Sequence, residues 1–222
     1  KIMQGGLMDK FSIIIRNRNE SEHIGFAIQS CLDHFKKPEI IVVDNNSTDD
    51  SLHVVNLFKD RTKVNVVTIN DYTPGRSINL GVQHASNNNI LVLSAHAQIT
   101  TINIEMLSQW FREGHVAVFG NQTPIYKGKK ISKRYIWSHF NSDITENLYS
   151  SIEDRHFLHN AFCFYNKEFL IKNPMPEQYP GKEDRFWAKD MVEKGHTYLY
   201  DGFYQKCNHF YTSNGATWKG LG

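Results

Sequence analysis

The sequence predicts an α/β fold, a mostly parallel central sheet flanked by helices in a single domain, and three observations carry that expectation. At 222 residues the chain can bury one full core and is too short for two comfortable domains. Its apolar runs, Ile13-Ile14-Ile15, Ile40-Ile41-Val42-Val43 and Ile90-Leu91-Val92-Leu93, are strand-sized and continuous, the pattern of strands covered on both faces. Between them lie segments with apolar residues at helical spacing, and this alternation of strand and helix is what a parallel sheet requires.

Each element has its own signal. Phe11 to Ile15 reads as a strand, and Ile24, Ala27, Ile28, Cys31, Leu32 and Phe35 recur at the spacing of one buried helical face. A strand over Glu39 to Val43 leads into Asp44-Asn45-Asn46-Ser47-Thr48-Asp49, whose Ser, Thr and Asp can cap a helix carrying Leu52, Val55 and Phe58. A strand from Val64 to Ile69, a turn at Pro74-Gly75, a short helix with Ile78, Val82 and Ala85, and the strand Ile90 to Leu93 complete the regular half. A helix from Ile104 to Glu113 and a strand from Val116 to Gly120 follow, then an aromatic-rich polar stretch from Gln122 to His159. The apolar segment Asn160 to Tyr165 comes next. After Pro174, Pro176 and Pro180, a helix starts near Glu183 and stops at a glycine C-cap, Gly195.

Composition narrows the function classes. With 40% hydrophobic and 22% charged residues and no low-complexity tract, the chain reads as an ordinary globular protein. No apolar run reaches membrane-spanning length, and Lys1 to Lys10 lacks a signal-peptide core, so residues 1–10 read as an N-terminal extension or tag remnant. Three widely spaced cysteines, Cys31, Cys163 and Cys207, argue for a reducing compartment, the cytoplasm, and against a disulfide framework or zinc cluster. A net charge of +2 is too mild to imply nucleic acid. One basic patch, Lys127-Gly128-Lys129-Lys130 with Lys133-Arg134, is either a solvated loop or a site for an acceptor phosphate, an anionic glycan or an acidic membrane surface.

In open parallel sheets, ligands sit at the carboxyl ends of the strands. That rule singles out Arg16-Asn17-Arg18-Asn19-Glu20, Asp44-Asn45-Asn46 and Ser94-Ala95-His96, which each follow a strand and are expected to meet in space. Taken alone, Asp44 to Asp49 reads equally as a capping loop, Asp184 as a first-turn helix acid, and Trp187 and Trp218 as core or wall.

Ile13-Ile14-Ile15-Arg16-Asn17-Arg18-Asn19-Glu20, Ile41-Val42-Val43-Asp44-Asn45-Asn46-Ser47-Thr48-Asp49, Gly75-Arg76-Ser77-Ile78-Asn79-Leu80-Gly81 and Gly181-Lys182-Glu183-Asp184-Arg185-Phe186-Trp187 occur in this order across nearly the whole chain. Together they resemble the motifs of the family-2 inverting glycosyltransferases of GT-A, Rossmann-like, fold. The resemblance implies a nucleotide-sugar-binding half over residues 11–100 and an acceptor-binding half over 101–222 of the same domain. It implies that Asp44 contacts the donor nucleobase, that Asn17, Glu20, Asn46 and Ser94 belong to the nucleotide site, and that Arg76 reaches toward the diphosphate. Asp184 matches the catalytic base, with Glu183 beside it, and Trp187 and Asn160 are assigned to the acceptor. Ser94-Ala95-His96 falls where this family carries an Asp-x-Asp metal motif, and His209 matches a C-terminal histidine near the metal or diphosphate.

Such an enzyme needs a carboxylate to take the acceptor proton and positive charge to receive the leaving diphosphate. Two readings of the altered motif stay open: His96 and His209 share Mn²⁺ (or Mg²⁺) with the donor phosphates, or His96 donates directly to the diphosphate without metal. The function implied is sugar transfer from a nucleotide sugar to a glycan or lipid-linked acceptor in bacterial surface polysaccharide (capsule or O-antigen) assembly, in the cytoplasm and at the inner face of the membrane by peripheral association. The alternatives are a non-catalytic nucleotide- or glycan-binding module and a nucleotidyltransferase, although the loop after the first strand lacks the glycines of the latter. The sequence leaves oligomeric state and donor sugar open, and the end at Trp218 to Gly222 leaves room for a further C-terminal region.

Overall fold

A computed structural model describes residues 9–130 and 135–215. Residues 1–8 of the expected extension, Lys133 and Arg134 of the basic patch, and Trp218 with the residues after it lie outside this range. The first half follows the expected alternation: β1 (Phe11–Asn17), α1 (Ile24–His34), β2 (Glu39–Asp44), α2 (Ser51–Asn56), β3 (Val64–Thr68), α3 (Pro74–His84) and β4 (Asn89–Ser94). These four strands pair in parallel in the order β3-β2-β1-β4.

The second half adds β5 (Ala97–Thr101), α4 (Ile104–Arg112), β6 (Ala117–Tyr126), β7 (Lys129–Lys130), a 3₁₀ turn (Tyr135–His139), β8 (Ile144–Glu146), β9 (Tyr149–Ser150), β10 (Arg155–His156), β11 (Phe162–Asn166), α5 (Lys167–Lys172), α6 (Glu183–Glu193) and β12 (Leu199–Phe210). The sheet continues past β4 as β11-β6-β12-β5. Here β11 runs antiparallel to β4 and β6, while β12 is parallel to β6. β9 and β10 form a separate two-stranded flap.

Strand alternation divides the core between the two faces of the sheet. Ile14 points to one face, with Ile78 and Val82 of α3 and Trp187 and Met191 of α6. Ile13 and Ile15 point to the other, with Ile24 and Ile28 of α1 and Leu107 of α4. Each such aliphatic side chain contributes about 1.5–3 kcal/mol when fully buried. Close packing needs glycine at Gly81, where a Cβ would lie 2.5 Å from Ile14 Cγ2. Gly75 is tighter, since its Cβ would meet the Pro176 carbonyl oxygen at 2.0 Å.

Capping explains several boundaries. Thr73 accepts from the Arg76 N–H at the start of α3, with Pro74 in its first turn, and Asn103 accepts from the Met106 N–H in α4. The expected cap of α2 is different: Asp50 makes no side-chain cap, while Asp49 accepts from the N–H groups of Ser21 and Ser51 and so ties the β1–α1 loop to the helix start. Gly195 ends α6 as expected, at φ 84°, with its N–H on Val192 O and that of His196 on Met191 O. The longest strand, β12, has no counterpart among the sequence-based elements. Its inward positions include Gln205 and His209 beside Cys207, so polar residues occupy the alternating buried sites and hide the period-two pattern.

Candidate active site

The three polar strand ends do meet. β1 and β4 place Arg16 opposite Ser94, β1 and β2 place Asn17 opposite Asp44, and the carboxyl edge opens into a cleft of about 600 Å³. Asn17, Glu20, Ser94, His96, Asn160, Glu183, Asp184 and His209 all line it. Residues from opposite ends of the chain therefore share one cavity.

The start of α6 forms one wall. Lys182 takes a left-handed conformation, φ 61°, which turns the chain so that Glu183 and Asp184 fall in the first helical turn, where the macrodipole favours their charge. Asp184 Oδ1 accepts from the Arg185 backbone N–H at 2.9 Å and from Arg185 Nη1 at 3.0 Å, and Oδ2 accepts from the Asn160 N–H at 2.9 Å. Arg185 is itself buried, pairs with Glu153 at 3.5 Å and lies 4.4 Å from the centre of the Phe157 ring. Burial opposes its charge, but Asp184 and Glu153 outweigh that and keep the guanidinium protonated. Glu183 Oε1 accepts from Arg16 Nη1 at 3.3 Å and Asn160 Nδ2 at 3.2 Å. Burial and the neighbouring Asp184 charge push the Glu183 carboxyl upward.

The opposite wall is built from histidines. His96 Nε2 lies 3.0 Å from Ser94 Oγ and its Nδ1 lies 3.0 Å from Glu20 Oε1, which also accepts from Thr212 Oγ1 at 3.1 Å. Burial drives the His96 imidazole down to about 3 and the Glu20 carboxyl up to about 7, so burial favours the neutral imidazole. Gln122 bridges the other two rings. The Ala161 N–H points at His159 Nδ1, so that nitrogen is an acceptor; the Gln122 amide N–H₂ then faces it at 3.0 Å, and its carbonyl accepts from His209 Nδ1 at 2.9 Å. Burial holds His159 and His209 well below the usual imidazole range.

Four expected site residues sit elsewhere. Asp44 lies behind the cleft, where Asn17 Nδ2, Ser47 Oγ and the Ser47 N–H hold its carboxylate at 2.8, 2.6 and 2.9 Å, so its visible part is to shape the β2 loop. Asn46 is exposed at φ 52° and donates to Ile69 O. Arg76 is not among the residues lining the cleft, and Asp71 and Glu177 take its guanidinium. Trp187 is 2% exposed, packs edge-on against Tyr165 and Phe169 and donates Nε1–H to Asn173 O, so its ring faces the core rather than an acceptor sugar. In return the cleft recruits Arg16, His159, Asn45 and Tyr72. Arg16 and Asn45 were legible in the strand-end clusters; His159 and Tyr72 had no local signal.

The donor set beside His96 does not fit a divalent cation. Glu20 is engaged by His96 Nδ1 and by Thr212, and the groups at the motif position are a hydroxyl and an imidazole, with the His209 imidazole beside them, too little charge for Mg²⁺ or Mn²⁺. Among the described residues no three His, Cys, Asp or Glu side chains are grouped to hold a metal ion. The expected pairing of His96 and His209 does occur in space, with ring centres 4.9 Å apart, but as packed neutral rings.

The arrangement has relatives. The chain is 29% identical over 205 residues to the GalNAc(5)-diNAcBac-PP-undecaprenol beta-1,3-glucosyltransferase of Campylobacter jejuni subsp. jejuni serotype O:2, covering 88% of this chain and 64% of that protein. Its fold is similar to that of S. aureus TarS 1-349 in complex with UDP-GlcNAc, with a TM-score of 0.68, 18% identity, and 93% of this chain and 60% of the other covered. It is similar also to GalNAc-T7 with UDP, GalNAc and Mn²⁺, with a TM-score of 0.70, 12% identity, and 96% and 45% covered. The chain thus spans about two thirds or less of the length of these proteins. The model of "Glycosyl transferase family 2" matches residues 12–173, and on that match, with the GT-A-like sheet and cleft, the chain belongs to glycosyl transferase family 2.

Proposed function

We propose that the cleft transfers a sugar, with inversion, from a nucleotide-sugar donor to a glycan or lipid-linked acceptor in bacterial surface polysaccharide assembly, with Asp184 as the general base. The observation that carries this reading is the position of the Asp184 carboxylate in the cleft at the carboxyl edge of the parallel strands. Three hydrogen bonds hold it, one of them on Oδ2, and a carboxylate oxygen that accepts once keeps a second lone pair for an acceptor hydroxyl. In the step, the acceptor oxygen bonds to the anomeric carbon as its proton passes to Asp184. The bond from that carbon to the diphosphate oxygen breaks, and its electron pair leaves with the nucleoside diphosphate.

Asn17, Asn45 and Tyr72 receive the nucleoside at the β1–β2 end, and Asn160 and Glu183 hold the sugar side. A polyprenyl-diphosphate-linked glycan is the acceptor class named for the Campylobacter relative, and an acceptor of that kind would put this chain at the cytoplasmic face of a membrane. Among the described residues no helix is long and apolar enough to cross one. The test is release of nucleoside diphosphate from UDP-, GDP-, CDP- and dTDP-sugars, with and without a lipid-linked glycan. Release stimulated by acceptor and lost in Asp184→Asn supports the reading; binding without any turnover would make the domain a non-catalytic module.

A further inference from the structure

A departing nucleoside diphosphate needs positive charge, and Ser94-Ala95-His96 supplies neither a cationic Lys or Arg nor a carboxylate to hold a cation. We propose that Arg16 takes the place of the divalent cation in this cleft, binding the donor diphosphate through its guanidinium and receiving the charge that develops on the leaving oxygen. The inference rests on the transferase reading above.

Position is the first argument. Arg16 ends β1 directly opposite Ser94 on β4, so it stands beside the segment that occupies the metal-motif position. It lines the same cleft as Ser94, His96 and Asp184. Its side chain is 18% exposed, sunk enough to act in a partly dry site and open enough to be reached. Chemistry is the second. Among the described residues its ion pair is the single contact from Nη1 to Glu183 at 3.3 Å, long for a charge-assisted bond, while the guanidinium has five N–H donors in a planar fork. That fork matches two oxygens of a diphosphate.

The other cations of the cleft are less suited. Arg185 is committed to Asp184 and Glu153, Arg18 is exposed, and Lys182 at the helix start offers a point charge without the planar fork. The charge of Arg16 is secure: burial opposes it, but Tyr72, Glu183 and Asp184 outweigh that. Because Glu183 touches Arg16 and adjoins Asp184, the charge that receives the leaving group and the base that takes the acceptor proton share one wall. No proton or electron moves to Arg16 in the step; the proton ends on Asp184 and the electron pair on the diphosphate.

The experiment is calorimetric titration of inorganic pyrophosphate and of UDP, GDP, CDP and dTDP into the wild type, Arg16→Lys and Arg16→Gln, each in EDTA and with Mn²⁺, with thermal melts to confirm folding. Pyrophosphate and one nucleotide are expected to bind the wild type in EDTA, with Kd moved less than about three-fold by Mn²⁺. Arg16→Gln is expected to weaken both by roughly ten- to hundred-fold, and Arg16→Lys to fall between, since it keeps the charge and loses the fork. Nucleotide binding that requires Mn²⁺, or an unchanged Kd in folded Arg16→Gln, overturns the assignment and leaves the transferase reading standing. Failure of every nucleotide to bind under both conditions overturns the two together. Should Arg16→Gln not fold, the wild-type comparison of EDTA with Mn²⁺ still decides.

Discussion

Replacing Asp184 with Asn separates the base from its surroundings more sharply than any other change. The substitution keeps the shape of the side chain and one carbonyl for Arg185, yet its amide N–H₂ must then face the Asn160 N–H, donor against donor. Turning the amide over only moves the conflict, because the N–H₂ would face the Arg185 guanidinium. A buried mismatch of this kind costs about 1–3 kcal/mol. Arg185, 1% exposed, would also keep Glu153, at 3.5 Å, as its one carboxylate partner among the described residues, and the two effects together put the loss at roughly 2–4 kcal/mol. At about 2–4 °C per kcal/mol for a chain of this size, Tm should fall by roughly 5–15 °C. Loss of a general base lowers turnover by about 10²–10⁴-fold. Assayed well below the lowered Tm, Asp184→Asn should therefore bind its nucleotide within a few-fold of wild type while nucleoside diphosphate release collapses. Turnover within ten-fold of wild type, in a variant that melts cooperatively and still binds nucleotide, would falsify the assignment of Asp184 as base.

Three further outcomes are expected. Gly75→Ala forces a Cβ onto the Pro176 carbonyl, which is backbone, whereas Gly81→Ala meets only the Ile14 side chain; urea unfolding should show the first costing about 1–3 kcal/mol and more than the second, and equal costs would mean that the 174–177 segment yields freely. Arg76→Ala should leave nucleotide Kd within about two-fold, because Asp71 and Glu177 hold that guanidinium outside the cleft; a ten-fold loss would show that it swings in to the donor. Glu39 should give the fold an acid-labile component. Burial opposes its charge, but Lys63, Ser12 and Ser86 prevail and hold its carboxyl down to about 2 from 4.5. A folded-state value below the unfolded one stabilises above pH 4.5, and roughly 1–2 kcal/mol, less than the full shift because exposed Lys63 is screened by solvent, should be lost as pH falls toward 2. Unfolding titrations of wild type and Glu39→Gln should diverge above pH 4.5 and converge near pH 2, and parallel curves would refute this.

The sequence by itself determined the parallel half and the polar strand ends. Ile13 to Ile15, Ile40 to Val43 and Ile90 to Leu93 state their burial through composition, and a strand buried on both faces can only lie inside a helix-covered sheet, so Arg16-Asn17, Asp44-Asn45 and Ser94 had to emerge at one edge. The ordered motifs added Asp184 and Glu183, residues that a single helical segment carries. Tertiary structure decided which polar groups face the cleft. Arg76 meets a carboxylate 101 residues away, Arg16 one 167 residues away, and Thr212 fastens to Glu20 across 192, so no local window contains both members of any of these pairs. For the same reason β12 stayed hidden: Gln205 and His209 sit inside the sheet with hydrogen bonds to Asn103 and Gln122, which are distant in the chain. Apolar periodicity is a local property and can be read along the chain. The partner of a buried polar group is a long-range one, and whether an Arg or Asp is spent on structure or left to meet a substrate is settled only when the fold brings that partner to it.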